Sequence, residues 1–226
     1  MRSLALLIVA IPLAAQAPGI TPFKEAKARV LLRTQLPCLG CHELDGQGGR
    51  VAPSFTNIAA RRNAAYIGAI IDDPQRVVPG AAMPKTPMPA SVRELITQYL
   101  ARGASGGTGP PPRQMPVTFA RDVAPSTLYN HWCAACHGQG GGGDGPNAKY
   151  LPVRPAIHNS IAQMSARSDD ALFDAIAGGG AIMGKSPRMP AFGATLSPTE
   201  IRSLMRYIRM LCACEGPAWS RDNAKQ

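Results

Sequence analysis

Cys38-Leu39-Gly40-Cys41-His42 recurs in the same chain as Cys133-Ala134-Ala135-Cys136-His137, and the surroundings recur with it. A helix-like stretch precedes each copy, over 25–36 and over 127–132, and a Gly- and Pro-rich loop follows each. Then come a middle helical stretch (64–71 and 169–177), a Met-Pro pair (Met83-Pro84 and Met189-Pro190) and an amphipathic closing helix. Self-similarity of this kind marks two units of one plan. Neither unit carries an alternating strand pattern, so the expected fold class is all-α, with two tandem domains.

The closing helices have sequence-level start signals. Ser91 and Glu94 have capping-box spacing, as do Ser197 and Glu200, and Pro198 stands at the first helical position of the second helix. Val92, Leu95, Ile96 and Tyr99 follow at helical spacing in one half, and Ile201, Leu204, Met205 and Ile208 in the other. Ser168 is the expected cap of the second middle helix, with Asp169 and Asp170 in its positive first turn.

C-x-x-C-H is the attachment pattern of c-type haem. Two thiols three residues apart can reach the two vinyl groups on one porphyrin edge, and the next His then falls under the iron. A thioredoxin-like pair has no use for that His, and a zinc site wants four ligands at finger-like spacing. Two covalently bound haem c groups are therefore expected, on Cys38, Cys41 and His42 and on Cys133, Cys136 and His137. Aromatic residues are scarce at 5% while Gly (23) and Pro (22) are plentiful, so the expected fold is rich in loops with a small aromatic share in its core, and a prosthetic group would supply missing apolar bulk.

A sixth iron ligand separates electron carriage from chemistry on small molecules. Met83 and Met189 are the candidates, because each precedes Pro and stands shortly before its closing helix. Met88, Met183, His131 and His158 compete. Met88 stands where Leu196 stands in the second half, which fits a hydrophobic staple. His131 lies too close to its motif to reach the far face, and His158 reads as a loop residue.

On these residues the chain resembles a tandem di-haem member of the class I cytochrome c family, over about 22–102 and 117–212. The resemblance carries over Cys38, Cys41, His42 and Met83, then Cys133, Cys136, His137 and Met189. It implies a small helical cage around each haem. It also implies a Pro carbonyl that orients the proximal His: Pro53 for His42, and Pro152 or Pro155 for His137. Tyr99 and Tyr207 stand where the family packs an aromatic on the first helix.

The remaining segments set context. Arg2, the apolar run 4–15 and Ala15-Gln16-Ala17 read as a signal peptide over 1–17, which places the mature protein in the periplasm or otherwise outside the cytoplasm. That run is shorter than the ~20 residues a span needs. Residues 103–116 read as a Gly/Pro linker, and 213–226 as a tail. Cys212 and Cys214 lack a following His and read as a disulfide.

The formal net charge is +10. Arg202, Arg206 and Arg209 on the last helix suit an acidic redox partner or an anionic membrane surface, and nothing points to nucleic acid. The expected function is single-electron transfer between redox partners in a respiratory or dehydrogenase chain. The alternatives are a di-haem enzyme (a peroxidase or a small-anion dehydrogenase) or a fixed cytochrome subunit of an oxidase or dehydrogenase complex.

Overall fold

The computed structural model describes residues 19–102 and 123–220; the expected signal segment and linker lie outside the described residues. The first half opens with α1 (Pro22–Thr34). Thr21 caps it by accepting from the Lys24 amide, and Pro22 occupies the first turn, where no N–H is missed. Pro37 ends it two residues before the expected stop at 36, because the residue before a proline is pushed out of the α region. The chain then tightens into a 3-10 turn, Pro37–Gly40, that carries the start of the first motif.

A two-residue hairpin follows, β1 (Glu43–Leu44) against β2 (Gln47–Gly48), which the sequence reading did not anticipate. Asp45 and Gly46 at its tip both have positive φ (51° and 79°), the conformation a two-residue hairpin turn demands. Next come α2 (Ala64–Asp72), capped by Asn63, then α3 (Pro74–Val77) and α4 (Ala90–Leu100). The expected Ser91–Glu94 box does not form. The chain turns helical at Ala90, directly after Pro89, so Ser91 already sits in the first turn and cannot cap it.

The second half repeats the order with α5 (Pro125–Trp132), α6 (Ala134–His137), α7 (Ile161–Ser165), α8 (Asp169–Ile182) and α9 (Pro198–Cys212). Ser168 caps α8, and the Ser197–Glu200 capping box of α9 is complete in both directions. Helix α8 runs past the expected end at 177, through a kink at Gly179 where φ is 78°. Beyond α9, Cys212 and Cys214 form a disulfide across Ala213, which takes the left-handed conformation.

Each half keeps its own apolar core. In the first, α1 crosses α4 and buries Ala28, Leu32, Leu95, Ile96 and Tyr99. In the second, α5 crosses α9 and buries Leu128, Tyr129, Ile201, Leu204 and Ile208. Each such large side chain contributes ~1.5–3 kcal/mol relative to exposure, which is what holds the crossings. Tyr207 reaches the first helix of its half through Tyr129, with ring centroids 5.1 Å apart. No helix among the described residues is long and apolar enough to cross a membrane.

The two halves dock through polar and backbone contacts. Asn147, fully buried, accepts from the Arg50 amide at 2.8 Å and donates to the Gly40 carbonyl. Arg188 donates to the carbonyls of Leu32 (3.1 Å) and Arg33 (2.8 Å), and the Lys85 amide donates to Thr195 Oγ1 at 2.8 Å. The Arg50 guanidinium lies 4.7 Å from the Tyr150 ring centroid.

Candidate haem-attachment sites

Each C-x-x-C-H motif winds through one helical turn. The His42 amide donates to the Cys38 carbonyl at 3.0 Å, and the His137 amide to the Cys133 carbonyl at 2.9 Å. Residues three and four apart then share a face, so each motif gathers two sulfurs and an imidazole on one side of the chain.

All four motif cysteines are free thiols, unlike Cys212 and Cys214. Burial pushes the thiols of Cys38, Cys41 and Cys133 up to about 11, 12 and 12. Cys136 is also raised by burial, against a hydrogen bond from Asn147 that pulls the other way. Disulfide exchange runs through the thiolate, the form that burial of this kind disfavours. Among the described residues, no three or more His, Cys, Asp and Glu side chains gather as a metal site of their own.

Both motif imidazoles are oriented from behind. His42 Nδ1 lies 2.7 Å from the Pro53 carbonyl, and His137 Nδ1 lies 3.0 Å from that of Ala156. The carbonyl facing His137 thus belongs neither to Pro152 nor to Pro155. The longer glycine loop of the second half shifts the register, and any residue can present a carbonyl. Fixing Nδ1 as the donor leaves Nε2 as the lone pair for a metal. Burial lowers the pKa of both rings, which favours the neutral, ligating form.

A second ring covers each imidazole. Phe55 stacks on His42 with centroids 4.2 Å apart, and His158 stacks on His137 at 4.0 Å. His158 is therefore no bystander in a loop. It is buried, its Nδ1 is 2.9 Å from the Tyr129 hydroxyl, and its ring covers that of His137. His131 is exposed and meets only the edge of Trp132 in ring contact.

The two methionine loops are held by their backbones. Gln75 Nε2 donates to the carbonyls of Ala81 (2.7 Å) and Met83 (3.1 Å). In the second half the Gly180 amide donates to the Met189 carbonyl at 3.0 Å. A Cβ on Gly179 would stand 2.8 Å from the Ala191 amide nitrogen and 2.9 Å from the Met189 oxygen, so only glycine lets the loop seat against α8. Met83 and Met189 are both half-buried, as are Met88 before α4 and Met183 at the end of α8.

Gln75, Asn147 and Gly179 went unread in the sequence as site residues, and His158 reads there only as a competing iron ligand and a loop residue. The run Gly178-Gly179-Gly180 inside a helix pattern was a usable signal; Gln75 acts on a nearby loop through backbone carbonyls, which carry no sequence mark, and Asn147 and His158 act through partners distant in sequence.

Family comparison agrees with this geometry in both halves. Residues 30–100 match the family model described as cytochrome c. Residues 120–208 match that described as cytochrome c oxidase, cbb3-type, subunit III. The chain belongs to the cytochrome c family. It is a tandem c-type cytochrome, all-α, with two cytochrome c domains that imply covalently bound haem c. No curated protein matches this cytochrome. Among solved structures it is similar to a chain of the Kuenenia stuttgartiensis reducing HAO-like protein complex, at 20% identity and a TM-score of 0.33, over 87% of this chain and 99% of that one.

The residues fit the group they would hold. Cys38, Cys41, Cys133 and Cys136 offer neutral thiols for thioether bonds, and His42 and His137 offer Nε2. When bound, haem supplies a one-electron ferric/ferrous couple. The chain's part is to orient the imidazoles through Pro53 and Ala156, to hold the motif cysteines half-buried and to present the methionine loops.

Proposed function

We propose that this cytochrome carries one haem c per domain and passes single electrons between redox proteins on the far side of the cytoplasmic membrane. Supporting this is the pairing, in both halves, of a C-x-x-C-H turn with an imidazole whose Nδ1 is tied to a backbone carbonyl. In this reading His42 and Met83 ligate the first iron, and His137 and Met189 the second. Saturated iron has no place for substrate, which favours carriage over catalysis. The net charge of +10 favours acidic partner surfaces. Arg202 and Arg206 are exposed and available for this steering. Arg209 is not, because it is committed to Asp169 (2.7 Å) and to the carbonyls of Met164 and Arg167.

A second reading is a fixed electron-transfer subunit of a larger oxidase or dehydrogenase; the match of residues 120–208 to an oxidase-subunit family favours it. Purification from the native membrane and periplasmic fractions separates the two, since a shuttle is recovered alone and a subunit with its complex. Spectra of the purified protein test carriage itself. Two low-spin haems slow to bind cyanide are expected, and a high-spin ferric haem that binds it quickly would point to the di-haem enzyme instead.

A further inference from the structure

Arg188 stands directly before Met189, yet its side chain belongs to the other domain. The guanidinium donates through Nη1 to the Leu32 carbonyl (3.1 Å) and through Nη2 to the Arg33 carbonyl (2.8 Å). These acceptors lie in the last turn of α1, where carbonyls lack helical partners and the helix dipole favours a cation. The Arg188 backbone packs against the same domain. A Cβ on Gly40, between the two cysteines of the first motif, would run into the Arg188 carbonyl oxygen. From the opposite side Gly40 is held through its own carbonyl by Asn147, whose amide nitrogen also lies 3.6 Å from Cys136 Sγ. The first motif is thus gripped by two segments of the second domain, one from its methionine loop and one beside its own cysteines.

The loop has one support at home and one abroad. At home the Gly180 amide holds the Met189 carbonyl (3.0 Å), and Ser186 Oγ accepts from the Arg188 amide (3.3 Å). Abroad, two charge-assisted hydrogen bonds from Arg188 span more than half the chain length. The loop of the first domain has a lesser counterpart, a single neutral bond from the Lys85 amide to Thr195 Oγ1 (2.8 Å), two residues past Met83.

We infer that Arg188 is a positioning residue that anchors the Met189 loop on the first domain, so that sixth-ligand binding at the second haem depends on domain docking. This rests on the reading of Met189 as a ligand. Two consequences follow from linkage. Separating the domains frees the second iron's sixth position, and an exogenous ligand that takes that position weakens docking. The first haem, whose loop is held at home by Gln75 and reaches the other domain through one neutral bond, is the less sensitive of the two.

The test uses the full-length, haem-loaded protein with Arg188→Met, which keeps the aliphatic stem and removes the donors. Met189→Ala marks what an open second centre looks like. In Arg188→Met the ferric sulfur-to-iron charge-transfer absorption should fall toward half of wild type, as in Met189→Ala. Cyanide should bind one haem per chain about tenfold faster, the scale for losing charge-assisted hydrogen bonds. Gly40→Ala, made in the other domain, should give the same signature by pushing the Arg188 carbonyl away. Arg188→Lys, with one donor group in place of a fork, should fall between. It also serves as the probe if Arg188→Met does not accumulate. Wild-type absorption and cyanide rates in Arg188→Met (or Arg188→Lys) and in Gly40→Ala, with Met189→Ala open, would overturn the anchoring role while leaving Met189 as ligand. An unchanged spectrum in Met189→Ala would instead remove the ligand reading, and the anchor with it.

Discussion

His158 lies flat on His137, with ring centroids 4.0 Å apart and planes 11° from parallel, in the place that Phe55 takes over His42. The two halves therefore share a stacked pair behind the expected proximal ligand but differ in its chemistry. Phe55 is purely apolar. His158 ties the stack to the buried Tyr129 hydroxyl. Replacing His158 by Phe should preserve the stack and leave that hydroxyl unpaired, at a cost of ~1–3 kcal/mol to the second domain. The midpoint potential of one haem should move and the other stay, read by potentiometric titration. Both staying fixed would show that the stack does not tune the centre.

The methionine loops give a separable pair of outcomes. Met83→Ala should open one haem and Met189→Ala the other, since each methionine belongs to its own domain's loop, beside Gln75 in the first and Gly180 in the second. Each variant should gain one high-spin ferric haem per chain, visible by electron paramagnetic resonance. If Met88→Ala rather than Met83→Ala did this, the ligand of the first domain would have to be reassigned.

Gly179→Ala should be far more damaging than its one added methyl implies. Gly179 has φ of 78°, and the new Cβ would press on the Ala191 amide and the Met189 carbonyl. Strain of this kind costs ~1–3 kcal/mol. The same change at Gly184, which has positive φ but open space around it, isolates the backbone part. Comparing thermal unfolding and cyanide binding in the two variants measures what the close approach adds: Gly179→Ala should loosen the Met189 loop, and Gly184→Ala should not.

Glu43 supplies a pH dependence with a definite sign. Its carboxylate receives the Ser54 hydroxyl, then the Gly46 amide, and these hold its pKa below the ordinary 4.5. The folded state binds the proton more weakly than the unfolded chain does, so the stabilisation is complete above pH 4.5 and is lost as the pH falls through the lowered value. The hairpin and the 54–56 loop, which follows Pro53 and carries Phe55, should loosen over that range. Glu43→Gln should lower stability at neutral pH and flatten the acid limb, as read from denaturant midpoints across a pH series. An unchanged acid limb would remove Glu43 from this role.

What the sequence determined by itself is whatever short-range chemistry encodes. A C-x-x-C-H motif closes within one turn, so its sulfurs and imidazole are gathered whatever the rest of the chain does. Ser197–Glu200 and Ser168 satisfy helix amides three residues away, and the apolar spacing of α4 and α9 fixes which faces are buried. The duplicated order of these local units was enough to read an all-α tandem fold. Local reading failed where a neighbour intervened, as at Ser91, overtaken by the helix start after Pro89, and at Ala156, displaced from the prolines by a longer loop. Only the tertiary structure decided how the halves meet. Asn147 reaches Gly40 from 107 residues away, and Arg188 reaches Leu32 and Arg33 from more than 150, through backbone carbonyls that every residue possesses. A carbonyl leaves no signature in sequence, so bonds to it exist only once two separately folded cores bring their surfaces together.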